Sequence, residues 1–187
     1  MASTTFIPPK YEHQTEAIRS SDGKSAHIIT SPTGTGKTRM ELEIGARELG
    51  LGQTVILTNG NRSMMDQLHE EAKDFLTPRY VHFAYKSKGY LPGKLNVQSY
   101  NKLYSTYESI LGVLPASKIT ILVDEVHHAA CNVEKNRPST RLAKVLYKHT
   151  RLGGRIIGFT ATLCRLNPAE GFRMLSLIHI SEPTRPY

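Results

Sequence analysis

A glycine-rich run between a short apolar segment and a helical segment constrains the fold more than any other feature of the sequence. Residues Ala26 to Thr30 favour a β-strand, and Arg39 to Leu49 favour an α-helix that Gly50 would end as a C-cap. The run between them, Ser31 to Thr38, reads Ser-Pro-Thr-Gly-Thr-Gly-Lys-Thr. Glycine adopts backbone angles that other residues resist, so such a loop can turn several N–H groups toward one anion. The pattern predicts a strand, a phosphate-binding loop and a helix in direct succession.

Each position of this loop has an expected role toward a nucleotide. The glycines let the backbone approach the phosphates, and the positive end of the following helix faces the same anion. Lys37 is expected to reach the β- and γ-phosphates, and the Thr38 hydroxyl to ligate Mg²⁺. The usual pattern begins with glycine, and Ser31 takes that place here. The alternative is a plain glycine-rich turn without a ligand. We expect ATP and Mg²⁺ as cofactors, with nucleotide contacts from Ser31, Thr33, Gly34, Thr35, Gly36, Lys37 and Thr38.

A second predicted strand ends in two acids. Residues Ile119 to Val123 are nearly all apolar, which is typical of a central strand buried on both faces. Asp124 is placed to hold magnesium, and Glu125 to polarise the attacking water. A strand followed by Asp-Glu is weak on its own and much stronger after a phosphate loop. The predicted catalytic residues are Lys37, Asp124, Glu125 and His127, and the predicted metal ligands are Thr38 and Asp124.

Two histidines follow the acids. His127 and His128 have Cys131 nearby, but no Cys-x-x-Cys or His-Glu-x-x-His spacing supports a zinc site. We interpret His127 as a relay between the nucleotide site and a later run of the sequence, Thr-Ala-Thr from Thr160.

Three runs in this order resemble motifs I, II and III of superfamily 2 helicases. They are Ser31 to Thr38, Asp-Glu-Val-His-His-Ala from Asp124, and Gly158 to Arg165. The chain is most similar to the DExH branch that includes type III restriction subunits and related DNA translocases, and the resemblance spans Lys10 to Arg165. It implies an α/β fold, a P-loop RecA-like domain with a mostly parallel central sheet and helices on both faces. Leu163 departs from the branch, which usually has proline there.

The resemblance also implies roles for residues outside the nucleotide loop and the acids. Gln14, in Tyr-Glu-His-Gln, would read the adenine edge. The residues implied to contact a nucleic-acid backbone lie in two later runs and are Thr58, Asn59, Arg62 and Ser99. The residues implied to couple hydrolysis to strand movement, through His127, are Thr160, Ala161 and Thr162.

Size and charge fit this interpretation. The 187 residues suit one α/β domain, and helical and β-like segments alternate as in a parallel sheet covered by helices. Ser63 is expected to cap a helix that stops before Pro78. The net charge of +8 suits a polyanionic partner. One predicted helix carries a basic face, which is either a solvated surface or a phosphate contact, formed by Arg141, Lys144, Lys148 and Arg151.

The N-terminus lacks a signal pattern and no apolar run is long enough to span a membrane, so we expect no membrane partner. Two cysteines without a disulfide pattern favour a reducing, cytoplasmic location.

The C-terminal run does not continue the helicase pattern. Leu175 to Arg185 resembles the translation of a transposase-based sequencing adapter. We therefore predict that residues 1–173 form the ATP-binding lobe and that 174–187 are a non-native or disordered tail. The second RecA-like lobe, which in the family supplies an arginine finger, is absent from the sequence. We expect the fragment to bind nucleotide weakly, to hydrolyse it poorly and not to unwind nucleic acid.

Three functions remain open on the sequence. The first is a nucleic-acid-stimulated ATPase that moves along nucleic acid, with DNA as the family-level expectation. The second is the motor subunit of a restriction complex. The third is a nucleotide-binding switch or adaptor module, which Asp-Glu-Val-His and Thr-Ala-Thr disfavour because a simple switch needs no coupling to a strand.

Overall fold

The structure, a computed structural model, describes residues 11–87, 89–129, 131–132, 137–138 and 140–161. The predicted tail lies outside the described residues, as do Thr162 and Leu163 of the third motif. What the sequence implies for them therefore stays a prediction.

Helices and strands alternate along the described chain, as the sequence predicts. The helices are α1 (Glu12–Ser20), α2 (Lys37–Gly50), α3 (Met65–Phe75), α4 (Tyr100–Leu111) and α5 (Arg141–Arg151). The strands are β1 (Ala26–Thr30), β2 (Thr54–Asn59), β3 (Val81–His82), β4 (Leu95–Ser99), β5 (Ile119–Val123), β6 (Cys131–Asn132), β7 (Arg137–Pro138) and β8 (Arg155–Thr160).

Six strands form one parallel sheet in the order β1-β8-β5-β2-β4-β3, and β6 pairs with β7 in a separate antiparallel ribbon. Consecutive strands of the large sheet run the same way, so the chain must cross back between them. A helix lies in each of these connections except the one from β3 to β4, where the described residues contain none. The α/β fold with a parallel sheet is thereby confirmed. Because all six strands are parallel, their carboxyl ends meet at one edge of the sheet.

Helices cover both faces of the sheet, as predicted. Along β5, Ile121 packs in the cluster that includes α4 and α5, and Leu122 packs in the cluster that includes α1, α2 and α3. Successive side chains of a strand point to opposite faces, which explains why this buried strand is apolar throughout. The predicted basic face of α5 lies opposite its buried residues Leu142, Val145 and Leu146. Apolar side chains therefore pack against both faces of the sheet.

Two predicted helix boundaries are wrong. The helix after the loop begins at Lys37 rather than Arg39 and continues through Gly50, because the Leu51 N–H still donates to the Arg47 carbonyl at 3.0 Å. The glycine with a left-handed backbone at this end is Gly52, at φ 77°. A second correction concerns Ser63, which caps no helix.

Asn61, and not the expected Ser63, takes the capping role. Its side chain accepts a hydrogen bond from the Ser63 N–H at 3.1 Å and starts a 3₁₀ turn, Arg62–Met64, that leads into α3. None of the helices in the described residues has the length and apolarity needed to cross a membrane.

Candidate nucleotide-binding site

The carboxyl edge of the sheet brings the predicted motifs together. The phosphate loop follows β1, Asp124 follows β5, and Thr160 ends the strand β8 that lies between them. In open α/β sheets, ligands bind outside the carboxyl ends of the strands. The topology therefore gathers residues that are far apart in sequence into one cleft.

Gly34 and Gly36 give the loop its path, with φ of 81° and 79°. A Cβ on Gly36 would also lie 2.5 Å from Gln14 Nε2, which is closer than side chains tolerate. That amide of Gln14 donates to the Thr35 carbonyl at 2.7 Å, and Gln14 is buried. Gln14 thus supports the loop from α1. Its predicted contact with adenine stays a prediction.

Two hydroxyls bond within the loop itself. The Thr35 hydroxyl donates to the Pro32 carbonyl at 2.6 Å and also bonds the Ser31 hydroxyl. Ser31, which replaces the usual first glycine, is therefore buried and engaged in holding the loop closed. Thr33 is exposed, and Thr38 is half-buried in the first turn of α2.

Lys37 joins the loop to the acids after β5. Its Nζ lies 2.9 Å from Asp124 Oδ1 and also contacts Glu125 Oε1. Burial alone would lower the pKa of Lys37, but hydrogen bonds to the two carboxylates and their charges hold it above its usual value. The side chain is therefore charged and positioned where an anion meets the loop.

Asp124 is held from a second side by Asn59, at the end of β2. Asn59 Nδ2 donates to Asp124 Oδ2 at 2.6 Å, and the Asn61 N–H donates to Asn59 Oδ1 at 2.6 Å. The buried Asp124 Oδ1 lies 2.9 Å from the Lys37 ammonium. A buried carboxylate beside the phosphate loop suits a cation bound there.

Glu125 is the one non-glycine residue in the described part of the chain with a positive φ, 53°. Its Oε2 lies 3.2 Å from His127 Nδ1. Burial would raise the pKa of Glu125, but the Lys37 hydrogen bond and the charges of Lys37 and His127 hold it below its usual value. The carboxyl is therefore ionised at neutral pH, as a proton acceptor must be.

Sequence reasoning missed Glu41, one turn after Lys37 on α2. It is 0% exposed, and neither carboxyl oxygen accepts a hydrogen bond from the described residues. Burial, and next the negative charge of Asp124, raise the pKa of Glu41 well above its usual value. Nothing in the pattern of α2 distinguishes this acid from a surface one, because its burial comes from tertiary packing.

The second and third motifs meet directly. His127 Nδ1 lies 3.0 Å from the Thr160 hydroxyl, so the residues predicted to relay and to couple are within hydrogen-bond distance. Ala161 follows as the last described residue of this motif. The coupling role of these residues stays a prediction.

The residues predicted to contact nucleic acid differ in exposure. Thr58, Asn59 and Ser99 are buried, whereas Arg62 is exposed. The Ser99 hydroxyl accepts from the Lys102 N–H at 3.4 Å as the N-cap of α4. Of these side chains only Arg62 is free to reach a phosphate as it stands. The nucleic-acid contacts stay predictions, and the structure adds that Asn59 holds Asp124.

Magnesium in nucleotide sites is held mainly by phosphate oxygens and water, with few protein ligands. The described residues contain no group of three or more His, Cys, Asp or Glu side chains placed to hold a metal. The His127 and His128 rings lie against each other, with centroids 4.2 Å apart. The available ligands, Thr38 and Asp124, fit a metal that arrives with a nucleotide.

Comparisons with solved structures identify the fold. The UvsW helicase from bacteriophage T4 superposes with a TM-score of 0.67 at 14% identity, covering 95% of this chain and 61% of that one. The Hef helicase domain from Pyrococcus furiosus gives 0.69 at 18% identity, with coverage of 90% and 37%. The helicase MrfA, bound to DNA and AMPPNP, gives 0.65 at 18%, with coverage of 91% and 26%. The chain thus spans less than two thirds of these proteins.

Sequence comparison identifies the family. A search of the curated proteins finds no match. The family model for the type III restriction enzyme, res subunit, matches residues 8–165, which is most of the chain. The chain belongs to the type III restriction enzyme res subunit family, and its fold is the RecA-like lobe of superfamily 2 helicases.

Proposed function

We propose that this chain is the ATP-binding lobe of a nucleic-acid-dependent ATPase that works as a DNA helicase or translocase. The observation that carries the proposal is the meeting of Lys37 with Asp124 and Glu125 at the mouth of the phosphate loop. Three charged groups from two separate elements converge there, and a plain structural turn has no need of them. The family assignment supports the same activity.

The residues present fit MgATP. The loop's glycines and the N-terminus of α2 bind the phosphates, and Lys37 neutralises their charge. Thr38 and Asp124 hold the magnesium, with Asn59 fixing the orientation of the Asp124 carboxylate. Bound MgATP supplies the phosphoanhydride that is cleaved. Glu125, kept ionised by Lys37, orients the attacking water and accepts its proton.

A nucleic-acid partner follows from the family and from charge. MrfA was solved with DNA, and the Sulfolobus solfataricus SWI2/SNF2 ATPase core was solved in complex with dsDNA. This chain carries a net charge of +8 and exposes Arg62 beyond β2. Contacts between basic side chains and nucleic-acid phosphates give binding that weakens as the salt concentration rises. We therefore propose DNA as the activator of hydrolysis.

A second candidate is the motor of a restriction complex. The family description names the res subunit of such enzymes, and the type ISP restriction-modification enzyme LlaGI superposes with a TM-score of 0.59 at 13% identity. This candidate has the same ATPase lobe and differs in having a nuclease elsewhere in the assembly. A nucleotide switch or adaptor, by contrast, would show no stimulation by DNA.

Titration with a fluorescent ATP analogue and Mg²⁺ tests the proposal. Lys37→Ala should weaken binding at least about tenfold, since hydrogen bonds to charged groups contribute roughly 1.5–3 kcal/mol. Lys144→Ala, on the exposed face of α5, is the control and should bind as the parent does. ATP turnover should then rise when duplex DNA is added. Equal affinities for the parent and Lys37→Ala would refute the assigned site. Turnover indifferent to DNA would favour the switch when it is measured with this lobe joined to a second RecA-like lobe, because the lobe alone is expected to hydrolyse ATP poorly.

A further inference from the structure

Tyr100, the first residue of α4, reaches across the sheet edge to the backbone of the acids. Its hydroxyl donates to the Asp124 carbonyl and lies 3.2 Å from the Glu125 carbonyl. Neither contact involves a carboxylate, so both leave the acid side chains available. Tyr100 therefore holds the main chain directly after the end of β5, at Asp124 and Glu125.

Tyr100 holds a backbone segment in which Glu125 has an unfavourable conformation. Glu125 has φ 53° and ψ 51°, a left-handed conformation that non-glycine residues seldom adopt. This conformation turns the chain so that the Glu125 carboxylate meets Lys37 and His127. The contacts of the Tyr100 hydroxyl with two carbonyls favour this backbone turn over less strained backbone conformations.

The tyrosine ring is seated closely enough to act as a fixed support. A Cβ on Gly60 would lie 2.7 Å from Tyr100 Cε2, so the ring packs directly on the backbone of the loop after β2. Asn59, which bonds the Asp124 carboxylate, directly precedes Gly60 at the end of β2. Burial and the nearby negative charges of Asp124 and Glu125 raise the pKa of Tyr100, so its hydroxyl keeps the proton that it donates.

We propose that Tyr100 is a positioning residue that fixes the water-activating carboxylate of Glu125 through its backbone. The inference rests on the proposed function for the role of Glu125.

Tyr100→Phe tests this by removing the hydroxyl and keeping the ring. The matched control is Tyr107→Phe, which removes a buried hydroxyl from the same helix, one bonded to His149 Nδ1 at 2.8 Å and away from the site. Amide hydrogen exchange over residues 124–129 should speed up by about tenfold in Tyr100→Phe and stay at the parent rate in Tyr107→Phe. This readout needs no hydrolysis.

Nucleotide assays then separate positioning from general damage. Tyr100→Phe should keep the affinity for the MgATP analogue within about twofold and lower single-turnover hydrolysis by at least about tenfold. Adding Tyr100→Phe to Glu125→Gln should cause no further loss, because both act through one carboxylate. Exchange and turnover at parent levels in Tyr100→Phe would overturn the inference. Loss of turnover in Tyr107→Phe as well would also overturn it.

The proposed function fails on a different measurement. If the parent chain binds no MgATP, the assignment of the site is wrong, and with it the role given to Tyr100. If the parent binds MgATP and loses it in Lys37→Ala, while Tyr100→Phe behaves as the parent, only the inference about Tyr100 fails.

Discussion

His127 Nδ1 and the Thr160 hydroxyl lie 3.0 Å apart, although the two residues are separated by 33 positions in the sequence. They meet because β5 and β8 are parallel neighbours whose carboxyl ends reach the same edge of the sheet. The same imidazole nitrogen is 3.2 Å from Glu125 Oε2. One histidine therefore touches both the acid proposed to activate water and the motif proposed to respond to it.

Replacing Thr160 by valine should separate hydrolysis from its response to DNA. Valine keeps the β-branched shape and removes the hydroxyl that bonds His127. We expect affinity for a fluorescent ATP analogue within about twofold of the parent, because the loop residues are unchanged, and a loss of most of the DNA stimulation. Thr150→Val, which removes a hydroxyl that donates to the Leu146 carbonyl of its own helix, should keep the stimulation. Full stimulation in Thr160→Val would contradict a coupling role.

Adding a methyl group to Gly36 should damage the phosphate loop. Alanine at φ 79° is strained, and its Cβ would clash with the Gln14 amide. We expect a loss of about 1–3 kcal/mol in the free energy of unfolding and weaker nucleotide binding. The control is Gly50→Ala, in helical backbone with open space around it. That change should be neutral or stabilise by up to about 1 kcal/mol. Urea denaturation measures both variants, and equal effects would rule out the steric argument.

His149 should make the fold less stable in mild acid. Burial lowers the pKa of His149 from 6.5 to about 4. Between these values the unfolded chain binds a proton that the folded chain refuses, so stability falls as pH drops below 6.5. From pH 7 to pH 5 this amounts to about 2 kcal/mol. His149→Gln, destabilised overall, should show a shallower pH dependence by that amount in urea denaturation. His13→Gln, at an exposed position, should keep the slope of the parent, and an unchanged slope in His149→Gln would refute the assignment.

Replacing Glu41 by glutamine should stabilise the apo fold above the usual pKa of a glutamate. Glutamine keeps the size of the side chain, cannot ionise next to Asp124 and offers that carboxylate a donor. Because burial and Asp124 raise the pKa of Glu41, the parent loses stability as pH rises above 4.5 toward the folded-state value, and the variant escapes this loss. We expect the gain from Glu41→Gln to grow between pH 5 and pH 8, to about 1 kcal/mol. Glu108→Gln, on the exposed face of α4, should show no such trend. A gain independent of pH would contradict a raised pKa for Glu41.

The sequence was sufficient to predict the parallel sheet and the order of its helices and strands, and the charged residues predicted for the site lie close together at the carboxyl edge of that sheet. Apolar runs such as Ile119 to Val123 signal buried strands by themselves, and the glycine pattern after β1 signals its own turn. Both signals are local in the chain. Once the strands are taken as parallel, it follows that Lys37 and Asp124 share an edge.

The remaining contacts depend on which strands are neighbours and on how side chains pack. Tyr100 and Asn59 reach the acids because β2 lies between β5 and β4, and strand order is not written in local patterns. Glu41 is an acid inside a helix that happens to be buried on several sides. The predicted helix ends at Gly50 and Ser63 are wrong for a related reason. Gly52 and Asn61, each two residues away, are residue types that can cap a helix in the same way.

Two pairs of neighbouring strands in the large sheet, β1 with β8 and β2 with β4, end level with each other. Thr30 pairs with Thr160, and Asn59 pairs with Ser99, each pair formed by the last residues of two strands. The register of the hydrogen bonds between these strands thus determines where the residues that line the cleft lie. Inserting one residue into β5 would shift Asp124 along the strand by about 3.3 Å and turn its side chain to the opposite face. This lobe should therefore tolerate changes of length in its loops at the amino edge and almost none within its strands.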